Sequence, residues 1–150
     1  MSIRIVQGDL MSAEEDILGH QVNCQGVMGS GIAKTLRDTY TNLYPSYKQF
    51  CENYNLDELL GKCQIVKTGS KYVANIFGQL NYGRQKIRYT DYDALKNSLM
   101  TLRDNATKHN LSVALPYNIG CGLANGEWNI VENIIEEVFS DYDVTLYKLQ

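Results

Sequence analysis

Twice along its 150 residues this chain makes the same transition: an apolar, strand-like run breaks into glycines, which open into an amphipathic, helix-like run. The first occurrence leads from residues 17–22 through Asn23-Cys-Gln-Gly-Val-Met-Gly-Ser-Gly-Ile-Ala-Lys34. The second leads from residues 112–115 through Pro116-Tyr-Asn-Ile-Gly-Cys-Gly-Leu-Ala-Asn-Gly-Glu127 to Trp128. Antiparallel neighbours need only a hairpin, whereas parallel strands need a crossover, usually a helix. Two strand–turn–helix units therefore point to a parallel sheet covered by helices. The chain has 12 glycines and 2 prolines, and Gly26, Gly29, Gly31, Gly120, Gly122 and Gly126 lie in these two loops.

The remaining segments fit the same plan. Ile3–Gln7, 63–68, 72–77 and 144–149 read as strands, with Gly69-Ser70 joining the middle two. Residues 31–40 and 45–54 read as helices, the second with Pro45 near its first turn, where a missing N–H is harmless. The clearest helix is capped by Thr90 or Asp91 and repeats Leu95, Leu99, Leu102 and Ala106 on one face. Trp128, Val131, Ile134, Ile135 and Val138 form the next amphipathic face. No linker or internal repeat divides the chain, so one domain over residues 1–150 is expected, an α/β fold with a largely parallel sheet and helices on both faces. Ligands of such sheets bind outside the carboxyl ends of the strands, where the two glycine loops fall.

Both loops suit a phosphate: glycines admit close backbone approach, and a helix start offers free N–H groups. A ligand-free tight turn is the other reading of either loop alone. Two familiar phosphate motifs do not match. A Walker A loop needs glycine directly before Lys-[Ser/Thr], where Ala33 precedes Lys34-Thr35; the dinucleotide fingerprint needs a third glycine where Lys34 stands. Together, two loops at one sheet edge can clamp a diphosphate from both sides. Lys plus Arg is 14 and Asp plus Glu is 17, for a net charge of -3, which argues against nucleic-acid binding by a basic face. Cys24, Cys51, Cys63 and Cys121 contain no C-x-x-C pair, and His20 and His109 add little, so no metal and no cofactor is expected. No apolar run near Met1 is long enough for a signal or membrane segment, so a cytoplasmic setting with reduced thiols and no membrane partner is expected.

The turn Gly8-Asp9-Leu10, the run His20-Gln-Val-Asn23, the loop Met28-Gly-Ser-Gly-Ile-Ala33 and Pro116…Ile119-Gly-Cys-Gly-Leu123…Trp128 occur in the order seen in macrodomains. Over nearly its whole length the chain resembles that family, most of all the branch of ADP-ribose-1″-phosphate phosphatases and terminal ADP-ribose glycohydrolases. The resemblance implies a three-layer α/β/α fold with a mixed, largely parallel sheet and an ADP-ribose cleft across its top. It implies that Asp9, beside Leu10, accepts a hydrogen bond from the adenine amino group, a preference that fits a carboxylate; capping of the local turn is the alternative for Asp9. Met28, Gly29, Ser30, Gly31 and Ile32 would hold the distal ribose and one phosphate. Ile119, Gly120, Cys121, Gly122 and Leu123 would hold the diphosphate. The implied partners are ADP-ribose or ADP-ribose-1″-phosphate, and ADP-ribosylated protein or nucleic acid.

The same resemblance raises the question of chemistry. Glycohydrolases of this branch use a lysine just after the strand matching 72–77, where this chain has Gln79, and an aspartate after G-C-G-L, where it has Ala124. An amide cannot form a covalent adduct with the ribose aldehyde. The phosphatases place a histidine before the first glycine loop, where His20 stands, and Asn23 would face the distal ribose hydroxyls. His20 is thus either a general acid or base or a buried strand residue bonded to its neighbours. The expected function is hydrolysis of an ADP-ribose derivative, with a non-catalytic ADP-ribose reader as the alternative. A basic, tyrosine-rich run, Arg84, Lys86 and Arg88 among Tyr82, Tyr89 and Tyr92, reads either as a lid drawing phosphate or a modified polymer to the cleft or as a solvated loop.

Overall fold

A computed structural model describes residues 3–149. Six strands form one mixed sheet in the order β1-β6-β5-β2-β4-β3. They are β1 (Ile3–Gln7), β2 (Ile17–Gln21), β3 (Cys63–Lys67), β4 (Tyr72–Ile76), β5 (Val113–Pro116) and β6 (Val144–Lys148). Every pairing is parallel except that of β3 with β4, the pair joined by the Gly69-Ser70 turn. The helices are α1 (Gly31–Thr39), α2 (Leu43–Glu52), α3 (Leu56–Leu59), α4 (Tyr92–His109) and α5 (Trp128–Val138). None of them is long and apolar enough to cross a membrane.

Strand side chains alternate between two cores, as their period of 2 dictates. Ile17, Ala74 and Leu115 join Leu95, Leu99 and Leu102 of α4 and Val131 and Ile135 of α5 on one face. Leu18, Val73 and Ala114 join Leu36 of α1, Leu43 and Tyr47 of α2 and Leu59 of α3 on the other. This is the three-layer α/β/α arrangement expected. Each fully buried leucine contributes about 1.5–3 kcal/mol relative to exposure.

Strand ends differ from the sequence reading by one residue here and there. Two short elements were not expected: a 3-10 turn at Leu10–Ser12 and the four-residue α3. The second is held by a capping box in which Asn55 and Glu58 satisfy each other's backbone N–H groups. Of the two candidate caps of α4, Asp91 does the capping, accepting from the Ala94 N–H at 3.0 Å. Thr90 is thereby left for another role.

The position of the cleft follows from the topology. β2 and β5 are neighbours, yet they pair only at Ile17↔Val113 and Leu18↔Ala114 and then part. Beyond their carboxyl ends, the chain from β2 turns to α1 on one face and the chain from β5 turns to α5 on the other. Such a switch point opens a crevice between strands, and both glycine loops border it.

Candidate functional site

A cleft of about 470 Å³ lies at this switch point. Its walls are the end of β2, the two glycine loops with the start of α1, and the segment from Gln79 to Arg84. Among the described residues no aspartate, glutamate, lysine or cysteine lines it.

In the first loop the carbonyl oxygens are turned into the protein. The Tyr47 hydroxyl donates to Asn23 O at 2.6 Å and to Asn23 Oδ1 at 3.0 Å. The Tyr44 hydroxyl donates to Gly26 O at 2.9 Å, Asn23 Nδ2 to Val27 O at 2.9 Å, and Arg37 to Met28 O at 3.4 Å. Burial pushes the Tyr47 hydroxyl well above the ordinary phenol range, so it stays a donor. No acceptor among the described residues meets the N–H groups of Gly29 to Ala33. Ser30 caps α1 without a side-chain bond, and the helix's backbone bonding starts with Lys34 N–H on Ser30 O. The loop thus faces the cleft wall with spare donors at a helix start, where the dipole favours an anion.

The second loop is organised in the same way. Gly120 O accepts from Gly126 N–H at 2.9 Å and from the Thr90 hydroxyl at 2.6 Å, while Gly122 O accepts from Asn125 N–H. Ala124 O takes the N–H groups of Tyr89 and Thr90. The N–H groups of Gly120, Gly122, Leu123 and Ala124 have no acceptor among the described residues. Two glycines make this possible. Gly120 sits at φ 76°, and a Cβ on Gly126 would stand 2.5 Å from Gly120 O.

A polar lattice ties that loop to the sheet. Gln21 Nε2 donates to Gln79 Oε1 at 2.8 Å and to Thr90 Oγ1 at 2.9 Å, and Thr90 passes the bond on to Gly120 O. Gln79 Nε2 donates in turn to Asn81 O at 2.7 Å. Gln21 Oε1, buried at the cleft, has no donor.

The description Macro domain matches residues 20–135. This chain belongs to the Macro domain family. It is 29% identical over 148 residues to the DNA ADP-ribosyl glycohydrolase of Mycobacterium tuberculosis, a match covering 93% of this chain and 40% of that protein. The chain therefore spans about two fifths of that relative's length. It is 26% identical over 170 residues to the ADP-ribose 1''-phosphate phosphatase of Scheffersomyces stipitis, covering 95% of this chain and 98% of that one. Among solved structures, the macrodomain of Mycobacterium tuberculosis DarG superposes with a TM-score of 0.80 at 29% identity, over 97% of this chain and 96% of the other.

Of the macrodomain's expected site residues, His20, Asn23, Gly29, Ser30, Gly31, Ile32, Ile119, Gly120, Gly122 and Leu123 line one cleft. Four others lie outside its lining. Met28 and Leu10 are core residues at 1% and 4% exposure. The Cys121 thiol points at Ile119 O, 3.5 Å away. Asp9 is exposed and accepts from Met11 N–H at 2.9 Å, so its carboxylate caps the Leu10–Ser12 turn.

His20 is buried, and burial pushes its pKa down to about 4 against the opposing Asn75 hydrogen bond. The neighbours fix its tautomer. Gln64 Nε2 donates to Ser46 O, so Gln64 Oε1 accepts from Asn75 Nδ2 and Asn75 Oδ1 accepts from His20 Nε2 at 2.7 Å. The ring is neutral near pH 7, with Nδ1 a lone pair that no donor meets. Asn23 spends its carbonyl on Gln25 N–H and Tyr47 and one N–H on Val27 O, leaving one amide N–H at the cleft. Burial raises the Cys24 thiol to about 12 and the Cys121 thiol to about 11, so both remain protonated loop residues.

Sequence reasoning missed the roles of Tyr44, Tyr47 and Thr90, which lie in neither glycine loop, and of Gln21, which stands in the His20–Asn23 run but was given no part. For Thr90 a signal existed, since two adjacent residues competed for one cap. For the two tyrosines, on a helix with other aromatics, there was none.

Proposed function

We propose that this macrodomain binds ADP-ribose or an ADP-ribose derivative across the two glycine loops and hydrolyses it, freeing ADP-ribose from a 1″-phosphate or from a modified macromolecule. The observation that carries the reading is the set of unpaired backbone N–H groups on each side of one cleft, at Gly29–Ala33 and at Gly120, Gly122, Leu123 and Ala124. A diphosphate is the ligand that two such sets bind with few cationic side chains, which fits a net charge of -3. The names of the two relatives, a glycohydrolase and a phosphatase acting on ADP-ribose derivatives, support the reaction class. In this reading His20 Nδ1 is the proton acceptor and the spare Asn23 N–H meets a ribose hydroxyl.

A reader without chemistry is the second reading, and a specific observation favours it. The cleft lining holds no carboxylate or lysine, Gln79 is locked between Gln21 and Asn81, and His20 Nδ1 is closed off from solvent. Calorimetry with ADP-ribose, run beside phosphate release from ADP-ribose-1″-phosphate and ADP-ribose release from modified DNA, separates the two. Turnover that His20→Ala abolishes while binding persists supports the hydrolase. Binding with no turnover on any of these substrates assigns the reader. No heat at millimolar ADP-ribose removes both.

A further inference from the structure

The segment from Gly78 to Thr90 contains no aspartate or glutamate, although acidic residues outnumber basic ones in the chain. Within it stand Arg84, Lys86 and Arg88, and among the described residues none is paired with a carboxylate. Its backbone is fastened. A Gln79↔Thr90 bridge closes its base, and Asn125 Nδ2 donates to Gln85 O at 3.1 Å and to Ile87 O at 2.6 Å. Its side chains are presented outward: Tyr82 is 53% and Ile87 52% exposed, and the Arg88 guanidinium lies 4.3 Å over the Tyr92 ring. One end of this strap, at Tyr82 and Arg84, forms a wall of the cleft, and the other leads away from it.

Three cations without a carboxylate partner, set beside the exposed Tyr82 ring and the exposed Ile87, have the chemistry of a single-stranded nucleic-acid surface. Cations track the phosphates, and any base can stack on an aromatic face. An acidic peptide would also satisfy the charges, but a nucleic-acid strand brings a flat base with every negative charge, as cations beside an exposed Tyr82 require. Low overall charge excludes a broad basic face but not a local one fixed beside the cleft.

We propose that residues 82–88 bind the single-stranded nucleic-acid carrier of the ADP-ribose group held in the cleft. The proposal rests on the ADP-ribose reading above for the linked substrate, and on the strap alone for the strand. The test uses the full chain and four probes: free ADP-ribose, a short unmodified single-stranded oligonucleotide, the same strand ADP-ribosylated on a base, and an ADP-ribosylated acidic peptide. Binding is followed by fluorescence anisotropy and calorimetry between about 50 and about 200 mM salt. With three phosphates engaged at roughly 0.7 of a salt exponent each, affinity for the unmodified strand falls about twentyfold over that range. Lys86→Gln/Arg88→Gln, which alters no residue lining the cleft, lowers the salt exponent by about 1.4 and leaves the affinity for free ADP-ribose unchanged. The modified strand binds more tightly than free ADP-ribose, and the double variant erases most of that advantage. The strap assignment is overturned by a modified strand that binds no better than ADP-ribose, by a salt exponent the double variant does not change, or by a peptide that gains as much as the strand. Failure of ADP-ribose to bind, with the strand still bound in a strap-dependent way, would sink the cleft reading and leave the strap assignment standing.

Discussion

Thr90→Val keeps the outline of a side chain that is 2% exposed and removes its hydroxyl. That hydroxyl is the joint of the lattice behind the second loop: it accepts from Gln21 Nε2 at 2.9 Å and donates to Gly120 O at 2.6 Å. Both partners keep a second bond, Gln21 to Gln79 and Gly120 O to Gly126 N–H, so neither is left wholly unsatisfied. The cost is then two net hydrogen bonds at about 0.5–1.5 kcal/mol each, or about 2 kcal/mol in sum. For a domain of this size that lowers Tm by about 4–8 °C. The same change frees the Gly120 carbonyl to turn, and the N–H groups beside it lose their preset direction. We expect ADP-ribose affinity to fall about three- to tenfold, which corresponds to about 0.7–1.4 kcal/mol. Scanning calorimetry and titration calorimetry on the wild type, Thr90→Val and Thr90→Ser read both effects. Serine keeps the hydroxyl, so it should restore the affinity and most of the stability. A valine variant with unchanged Tm and Kd would show that the lattice does not hold the loop, and the reasoning would fall.

Other consequences are more compact. Tyr47→Phe removes the donor on Asn23 O and should cost about 1–2 kcal/mol in urea unfolding, with a weaker ADP-ribose complex. Because the folded-state pKa of His20, about 4, lies below the ordinary 6.5, the unfolded chain binds the extra proton first. The stability held by neutral His20 is therefore complete above about pH 6.5 and is lost as pH falls towards 4, by roughly 3 kcal/mol. Urea midpoints across that window should slope less in His20→Gln, and a ring signal assigned to His20 by its loss in that variant and titrating near 6.5 would contradict the assignment. Cys24, 2% exposed and raised to about 12, should react with a thiol reagent at pH 8 only as fast as the chain unfolds; rapid labelling of it would refute its burial.

The sheet and its long helices were legible because their signals are periodic. Leu95, Leu99, Leu102 and Ala106 mark α4, and alternation marks the strands. The loops were legible because glycine tolerates what other residues do not, as the Gly120 φ and the Gly126–Gly120 approach illustrate. What stayed hidden depends on partners distant in sequence. Nothing near Tyr47 shows that its hydroxyl crosses to Asn23, 24 residues away. Gln64 and Asn75 fix the His20 tautomer only because three neighbouring strands bring them into line. The motif resemblance also placed Asp9, Leu10, Met28 and Cys121 in a contact set, whereas the cleft lining omits them. One oxygen of the Asp9 carboxylate accepts from the turn at Met11, Leu10 and Met28 pack in the core, and the Cys121 thiol meets Ile119 O.

The central claim is that backbone N–H groups from two loops hold a diphosphate. An amide 1H–15N titration of the labelled chain with ADP-ribose tests it most directly. The account predicts saturable downfield shifts at Gly29–Ala33 and at Gly120, Gly122, Leu123 and Ala124, with little change in the Arg103–Lys108 part of α4. Shifts confined to other surfaces, or a spectrum unmoved at millimolar ADP-ribose, would contradict it.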